Sequence, residues 1–355
     1  MKKLTAILSL VLVVCMLAGC AGTTVVYYSD CTCPVDAHTQ TPATEVVETE
    51  PPVVAEGAVK TGLAVVASAE AGNKDENNTV TYDVTLVAVL VDDAGVIQDC
   101  VIDSLGATLT FDAAGAIVTD LTAAVLTKNE LGDNYGMKAY GGAKYEWYEQ
   151  AEALANYAVG KTVEELRSGA VNESGKAADA DLASTATIYL GGYVSAIEKA
   201  VANAQHLGAQ GGDTLKLASL NSLADSTAVT EEKAGNAQLN VDVTAVTMNG
   251  DVITSCAIDS LQAKVAFTNQ GVEAIPAFAT KNELGEGYGM KAWGGATYEW
   301  NEQAANFAAY VTGKTAAEVA GIAIDETTKP TDTDLASSVT ISIGGFQALI
   351  AKAAQ

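Results

Sequence analysis

Histidine is almost missing: among 355 residues only His38 and His206 occur, both in stretches that read as linkers. A His-ligated metal centre or a Ser-His-Asp hydrolase therefore has no basis here. Basic residues are scarce too, 19 Lys and Arg against 44 Asp and Glu, for a net charge of −25. Nucleic acid is excluded as a partner, because its phosphate backbone demands clustered Lys and Arg. The same charge keeps the chain soluble and away from anionic lipid heads. Of six prolines, four (Pro34, Pro42, Pro51, Pro52) fall before residue 60. Long apolar runs are lacking apart from one at the N-terminus, from Leu4 to Met16, which is short for a membrane span.

That run has the form of an export signal. Lys2 and Lys3 precede it, and Leu17-Ala18-Gly19-Cys20 closes it. Small residues before a cysteine at this distance read as a lipoprotein processing box, with residues 1–20 as signal and Cys20 as the lipidated first residue. The expected location is the extracytoplasmic face of a membrane, anchored by lipid. Residues 21–60 read as a flexible acidic, Pro-containing tether that cannot bury enough apolar area to order itself. Its Cys31-Thr32-Cys33 reads as a strained disulfide or two oxidisable thiols rather than a metal pair.

What remains is written twice. Residues 127–151 (TKNELGDNYGMKAYGGAKYEWYEQA) return as residues 280–304 (TKNELGEGYGMKAWGGATYEWNEQA). The copies differ at five positions: Asp133/Glu286, Asn134/Gly287, Tyr140/Trp293, Lys144/Thr297 and Tyr148/Asn301. The flanking sequence has drifted much further. Packing alone tolerates more substitution than that, so the segment's backbone geometry or polar groups are needed in both copies. The expected domains are residues 61–205 and 213–355, joined by a Gly-rich linker over 206–212.

Each repeat reads in the same order. A first strand covers residues 62–68 or 215–220. A hairpin follows, 80–91 with 96–105 around Asp92-Asp93-Ala94-Gly95, or 239–248 with 252–261 around Asn249-Gly250. A third strand is expected at 108–111 or 264–268. Then Trp147, Ala151, Leu154 and Ala158, or Trp300, Ala304, Phe307 and Val311, recur at helical spacing. Thr162-x-x-Glu165 and Thr315-x-x-Glu318 read as capping boxes of a second short helix. A last strand is expected at 185–190 or 339–343, followed by a helix after a Gly-Gly pair. Strands first and helices later give an α+β class, a tandem duplicated antiparallel meander with two to three helices per repeat. Cys100 and Cys256 occupy matching places and read as small apolar residues on inward strand faces, without a bridge between them.

Three features could carry chemistry. The glycine-rich loops with Tyr140, Gly141 and Gly142, or Trp293, Gly294 and Gly295, could cradle an anion and stack on a flat ring; they equally read as hairpins whose aromatics close the core. Glu146 with Glu149, and Glu299 with Glu302, share a helix face, but in a first turn they serve the helix dipole rather than acid–base catalysis. The final strands run Asp181-Leu182-Ala183-Ser184-Thr185-Ala186-Thr187-Ile188 and Asp334-Leu335-Ala336-Ser337-Ser338-Val339-Thr340-Ile341.

These strands resemble the C-terminal signature of the FMN-binding domain family, where Asp is followed by Ser-Gly-Ala-Thr and the Thr can be esterified to the flavin phosphate. Here Thr185 and Ser338 stand at the family's Gly, and Val339 stands at its Ala. The resemblance implies that Thr187 and Thr340, with Ser184 and Ser337, hold the phosphate of FMN. Gly141, Gly142, Gly294 and Gly295 would close over it, and Tyr140 and Trp293 would flank the ring. The overall plan is similar to lipid-anchored proteins with tandem FMN domains that serve extracellular electron transfer. It implies an electron carrier with a redox partner at the membrane. The competing expectation is a cofactor-free lipoprotein recognising cell wall, glycan or a partner protein. A hydrolase has only the Glu pairs to recommend it.

Overall fold

The structure is a computed structural model that describes residues 57–355; Cys20, Cys31, Cys33, His38, the expected signal and all but the last four residues of the expected tether lie outside them. No described helix is long and apolar enough to cross a membrane. The described chain is α+β, as its strand-then-helix order indicates. In the first repeat β1 (Lys60–Lys74), β2 (Asn77–Val91) and β3 (Ile97–Phe111) form an antiparallel meander. In the second, β4 (Thr214–Ser222), β5 (Gly235–Asn249), β6 (Val252–Thr268) and the short β7 (Gly271–Val272) do the same. The separate third strands expected at 108–111 and 264–268 do not exist. They are the far ends of β3 and β6, which run unbroken beside β2 and β5.

Strand residues alternate between two buried environments. From β2, Val80, Tyr82, Val84, Leu86 and Leu90 face a core shared with Leu239, Val241 and Val243 of β5. Val87, Val89 and Val91 face the helices of their own repeat instead. The sheets therefore pack on each other, with each repeat's helices covering the opposite face of its sheet. Phe111 and Phe267 stack across the centre with ring centroids 4.0 Å apart, and both are fully buried. The Tyr82 hydroxyl donates to the Ala237 carbonyl of the other repeat at 2.8 Å, satisfying a polar group that burial would otherwise penalise.

The helices of the first repeat are α1 (Lys128–Leu131), α2 (Met137–Gly141), α3 (Trp147–Ala158), α4 (Val163–Ala170), α5 (Ala180–Thr185) and α6 (Gly191–Ala202). Their counterparts are α7 (Lys281–Leu284), α8 (Met290–Gly294), α9 (Trp300–Val311), α10 (Ala316–Ala320), α11 (Thr333–Ala336) and α12 (Gly344–Ala353). Both expected capping boxes are present, at Thr162 with Glu165 and Thr315 with Glu318. Cys100 packs among the first repeat's helices and Cys256 among the second's, on opposite outer layers, and both are free thiols. Burial pushes the Cys256 thiol up to about 12, which keeps it protonated at neutral pH.

The expected last strands are corrected. Asp179 accepts from the amides of Asp181 and Leu182 and starts α5, and Asp332 does the same for α11. Residues 186–190 and 339–343 then run as irregular chain with no strand partner. The Gly-rich connection between the repeats is paired. Val59 donates to the Ala209 carbonyl at 3.0 Å, and Thr61 and Gln205 exchange backbone hydrogen bonds at 2.9 and 3.1 Å. Gly208 has a φ of +115°, and a Cβ there would sit 2.4 Å from the Thr254 carbonyl oxygen. Glycine is needed at that position for close passage over β6.

Candidate functional site

The doubled segment earns its constancy residue by residue. Thr127 caps α1 through its hydroxyl, which accepts from the Glu130 amide at 3.2 Å, and the Glu130 carboxylate accepts from the Thr127 amide at 2.8 Å. Lys128 lies over the rings of Tyr135 and Trp147, 5.3 and 5.1 Å from their centroids; Lys281 lies over Tyr288 and Trp300. Burial lowers both ammonium groups' pKa values, while Asp83 and Asp103, or Asp242 and Asp259, oppose that shift. Asn129 donates to the Ile102 carbonyl at 3.0 Å, tying α1 to β3. The second copy repeats these bonds.

The glutamates of these two caps also reach across the repeats. Lys352 of α12 pairs with Glu130 at 2.6 Å, and Lys199 of α6 pairs with Glu283 at 2.7 Å. Each lysine also donates to a first-strand carbonyl of its own repeat, Ser219 or Val65, at 2.6 Å. Burial alone would raise the Glu130 carboxyl, but Lys352 and the Thr127 amide hold it below the usual carboxylate range.

Glu146 is buried and its carboxylate accepts from the amides of Met137 and Lys138 at 2.8 and 2.9 Å, at the start of α2. Glu149 accepts from the Glu146 amide at 2.7 Å and from Lys138 at 3.0 Å. Glu299 and Glu302 repeat this. The paired carboxylates hold the loop rather than only serving a helix dipole from the first turn: Glu146 and Glu299 precede α3 and α9 as their caps, and their carboxylates reach back to the amides that open α2 and α8. What they hold is an exposed aromatic. Tyr140 is 91 % exposed and Trp293 is 89 % exposed. Each ring rests on a glycine with φ of +83°: a Cβ at Gly136 would lie 2.5 Å from the Tyr140 ring, and one at Gly289 would lie 2.2 Å from Trp293. The aromatics do not close the core; each ring lies against its glycine and is otherwise open to solvent.

The expected phosphate residues lie differently from the anticipated strand. Ser184 donates to Asp181's carbonyl within α5, and Ser337, capping α11, donates to Asp334's, both at 2.7 Å. The hydroxyls of Thr187 and Thr340 donate at 3.1 Å to the side-chain oxygens of Gln150 and Gln303. Those same oxygens accept from the amides of Thr187 and Ile188, or Thr340 and Ile341. Gln150 and Gln303, both buried, were not singled out from sequence, although their identity in both copies was the available signal. Each also donates to the carbonyl of Tyr145 or Tyr298, so the glycine loop and the threonine segment do meet, but through an amide that occupies the meeting point. Gly141, Gly142, Gly294 and Gly295 are exposed at the ends of α2 and α8. A phosphate would find the threonine donors already committed, so the FMN expectation gains no support from this geometry.

A separate cavity of about 810 Å³ opens between β1 and α6 of the first repeat and β6 and α9 of the second. Asp259 lies on its wall. Its carboxylate accepts from the amides of Ser260 at 2.7 Å and Asn282 at 3.1 Å. Burial nevertheless pushes it from 3.8 up to about 6. Because the folded value is the higher one, the folded chain holds this proton more tightly than the unfolded chain does. Its stabilising contribution is full below about pH 4 and is lost as pH rises through about 6, by about 3 kcal/mol in all. Asp259→Asn should remove this slope. In denaturant titrations, wild type minus variant should change by that order between pH 4 and 7, and a pH-independent difference would refute it.

Among the described residues no group of three His, Cys, Asp or Glu is placed to hold a metal ion. No known protein family, curated protein or solved structure matches this chain.

Proposed function

We propose that this chain is an exported binding protein, anchored through a lipid on Cys20, whose two aromatic platforms grip glycan chains of the cell wall. The observation that carries the reading is the near-complete exposure of Tyr140 and Trp293 at matching positions, each backed by a glycine. An exposed tryptophan on a rigid turn has no role in the core, and aromatic rings with one apolar face and a polar surround are typical contact residues. A sugar ring presents an apolar C–H face to such a platform. Its hydroxyls would meet the polar groups at the loop's edge, Lys138 with Glu149 and Asp133, or Lys291 with Glu302. Two platforms on one chain add avidity for a polymer that offers repeated sites. The charge of −25 favours a sugar surface over an anionic lipid one.

The test uses purified insoluble cell-wall glycan and soluble N-acetylglucosamine oligomers. Wild type should be retained by the insoluble polymer, and the oligomers should blue-shift the emission of Trp293. Either Tyr140→Ala or Trp293→Ala should weaken retention by up to about 10-fold. The double variant should be released almost wholly, with an unchanged melting transition because both rings lie outside the core. Equal retention of the double variant overturns the reading, and a yellow, flavin-loaded protein as isolated would restore the electron-carrier expectation in its place.

A further inference from the structure

We infer that the outer half of β1 is a docking edge for a second copy of this chain, the two strands running antiparallel about a two-fold axis. The inference does not depend on the aromatic platforms. β1 is an edge strand, paired with β2 on one side only. In an antiparallel ladder the N–H and C=O of one residue point the same way, and successive residues alternate. Thr61 bonds to Gln205, so the odd-numbered residues of β1 point away from β2. Along the first half of the strand those outward groups are covered. Beyond Thr61, the Leu63 carbonyl accepts from Asn203 at 3.0 Å and the Val65 carbonyl accepts from Lys199 at 2.6 Å. At Ala67, Ala69, Ala71 and Asn73 the outward backbone groups have no partner among the described residues, and residues 70–74 are exposed.

The corresponding ends of β3 and of the second sheet are closed. Near the end of β3, the Thr110 carbonyl accepts from Val118 at 2.8 Å and its amide donates to the Thr119 hydroxyl at 2.7 Å. In β4, Ser219 takes Lys352 as Val65 takes Lys199, and the strand stops at Ser222. The chain then turns, and Thr227 exchanges backbone bonds with Asn236 of β5, both at 2.8 Å. β1 instead runs on from Ala69 to Lys74, with no proline and no bulge, the devices that usually protect an open edge. Ala67, Ser68, Ala69, Ala71 and Gly72 carry too little side chain to obstruct a neighbour. Such an edge accepts an extended strand.

Charge selects the occupant. Glu70 and Lys74 are both even-numbered and point to one face of the sheet. Among the described residues neither has an ion-pair partner. The two-fold registers open to this stretch differ in what Glu70 meets. Centred on Glu70, the pairing sets that carboxylate against itself; centred on Ala71, it meets Gly72. Centred on Gly72, Glu70 faces Lys74 of the second copy and Lys74 faces its Glu70, so both cross-strand pairs are opposite in charge. Ala71 and Asn73 then exchange backbone bonds across the axis. The net charge of −25 opposes association at long range, but salt at physiological strength screens it beyond about 8 Å and leaves these short pairs to decide. The contact is small, so the association is weak in dilute solution.

Sedimentation of the purified chain at physiological salt should show reversible association that grows with concentration. Amide exchange at Ala71 and Asn73 should slow over the same range, while Glu70 and Gly72, whose amides point to β2, stay unchanged. Glu70→Lys and Lys74→Glu each put like charges opposite one another and should each weaken association about 10-fold. The double variant restores both pairs and should associate as wild type does. Both positions are exposed, so each variant keeps the fold. If net charge alone governed association, Glu70→Lys would strengthen it, and that result overturns the proposal. So does a chain that stays monomeric at every concentration, or a double variant no better than the single ones. Exchange at Ala71 and Asn73 that is slow at every concentration would mean the edge is filled from within the same chain, which also overturns it.

Discussion

Phe111→Ala is expected to lower the unfolding free energy by about 3–5 kcal/mol, and Phe267→Ala by a similar amount. Each ring is fully buried, each stacks on the other, and both belong to the core that the two sheets share. The second half of the expectation concerns cooperativity. Tyr82, Leu86, Leu239 and Val241 belong to one core although they come from different repeats. Loosening it from one side therefore loosens both. Far-ultraviolet and tryptophan signals should fall together in denaturant, for wild type and for each variant, as one two-state transition. Two separated transitions, with only the repeat carrying the mutation shifted, would mean that the sheets do not stabilise one another.

Gln150→Leu, or Gln303→Leu, should cost about 2–4 kcal/mol although the replacement is apolar and similar in size. The lost oxygen serves two backbone amides and a hydroxyl, and leaving amides unpaired costs about 1–3 kcal/mol apiece where water cannot replace the partner. Thr187→Ala removes only the hydroxyl and should cost under about 1 kcal/mol. The ratio between the two is the test. Amide exchange at Thr187 and Ile188 should accelerate markedly in Gln150→Leu and stay near wild type in Thr187→Ala. If Thr187→Ala were the worse variant, the hydroxyl would be serving something other than Gln150.

The hairpins were legible because Asn249-Gly250 and the Asp92–Gly95 turn sit between alternating β-branched runs, and turn chemistry of that kind is local. The helix starting at Trp147 was legible for the same reason, as were the capping boxes. The class followed from the order of these pieces. The misread strand at 185–190 shows the limit. Alternating Thr and Ile suits a pleat, yet a strand also needs a neighbouring strand, and residues 187 and 188 are held instead by a contact far away in sequence. The side-chain oxygen of Gln150 is such a contact, 37 residues from Thr187. The aromatics of the glycine loop posed a similar problem: composition offered a ligand loop or a core plug, and only the seating of Tyr140 on Gly136 decides that the ring stands outward. The pairing of the two sheets was hidden as well. In β2, Leu86 through Val91 are all buried, and nothing local says that one of the strand's faces belongs to the other half of the chain.

The crossed Lys199–Glu283 and Lys352–Glu130 pairs have the symmetry of an isologous dimer, in which residue i meets j while j meets i. A polypeptide with a single copy of the unit could satisfy every one of these bonds by meeting a second molecule of itself. Within one covalent chain, the two repeats are thus clasped as the two subunits of a homodimer would be. A change at either clasp lysine or glutamate would therefore be felt in the opposite repeat.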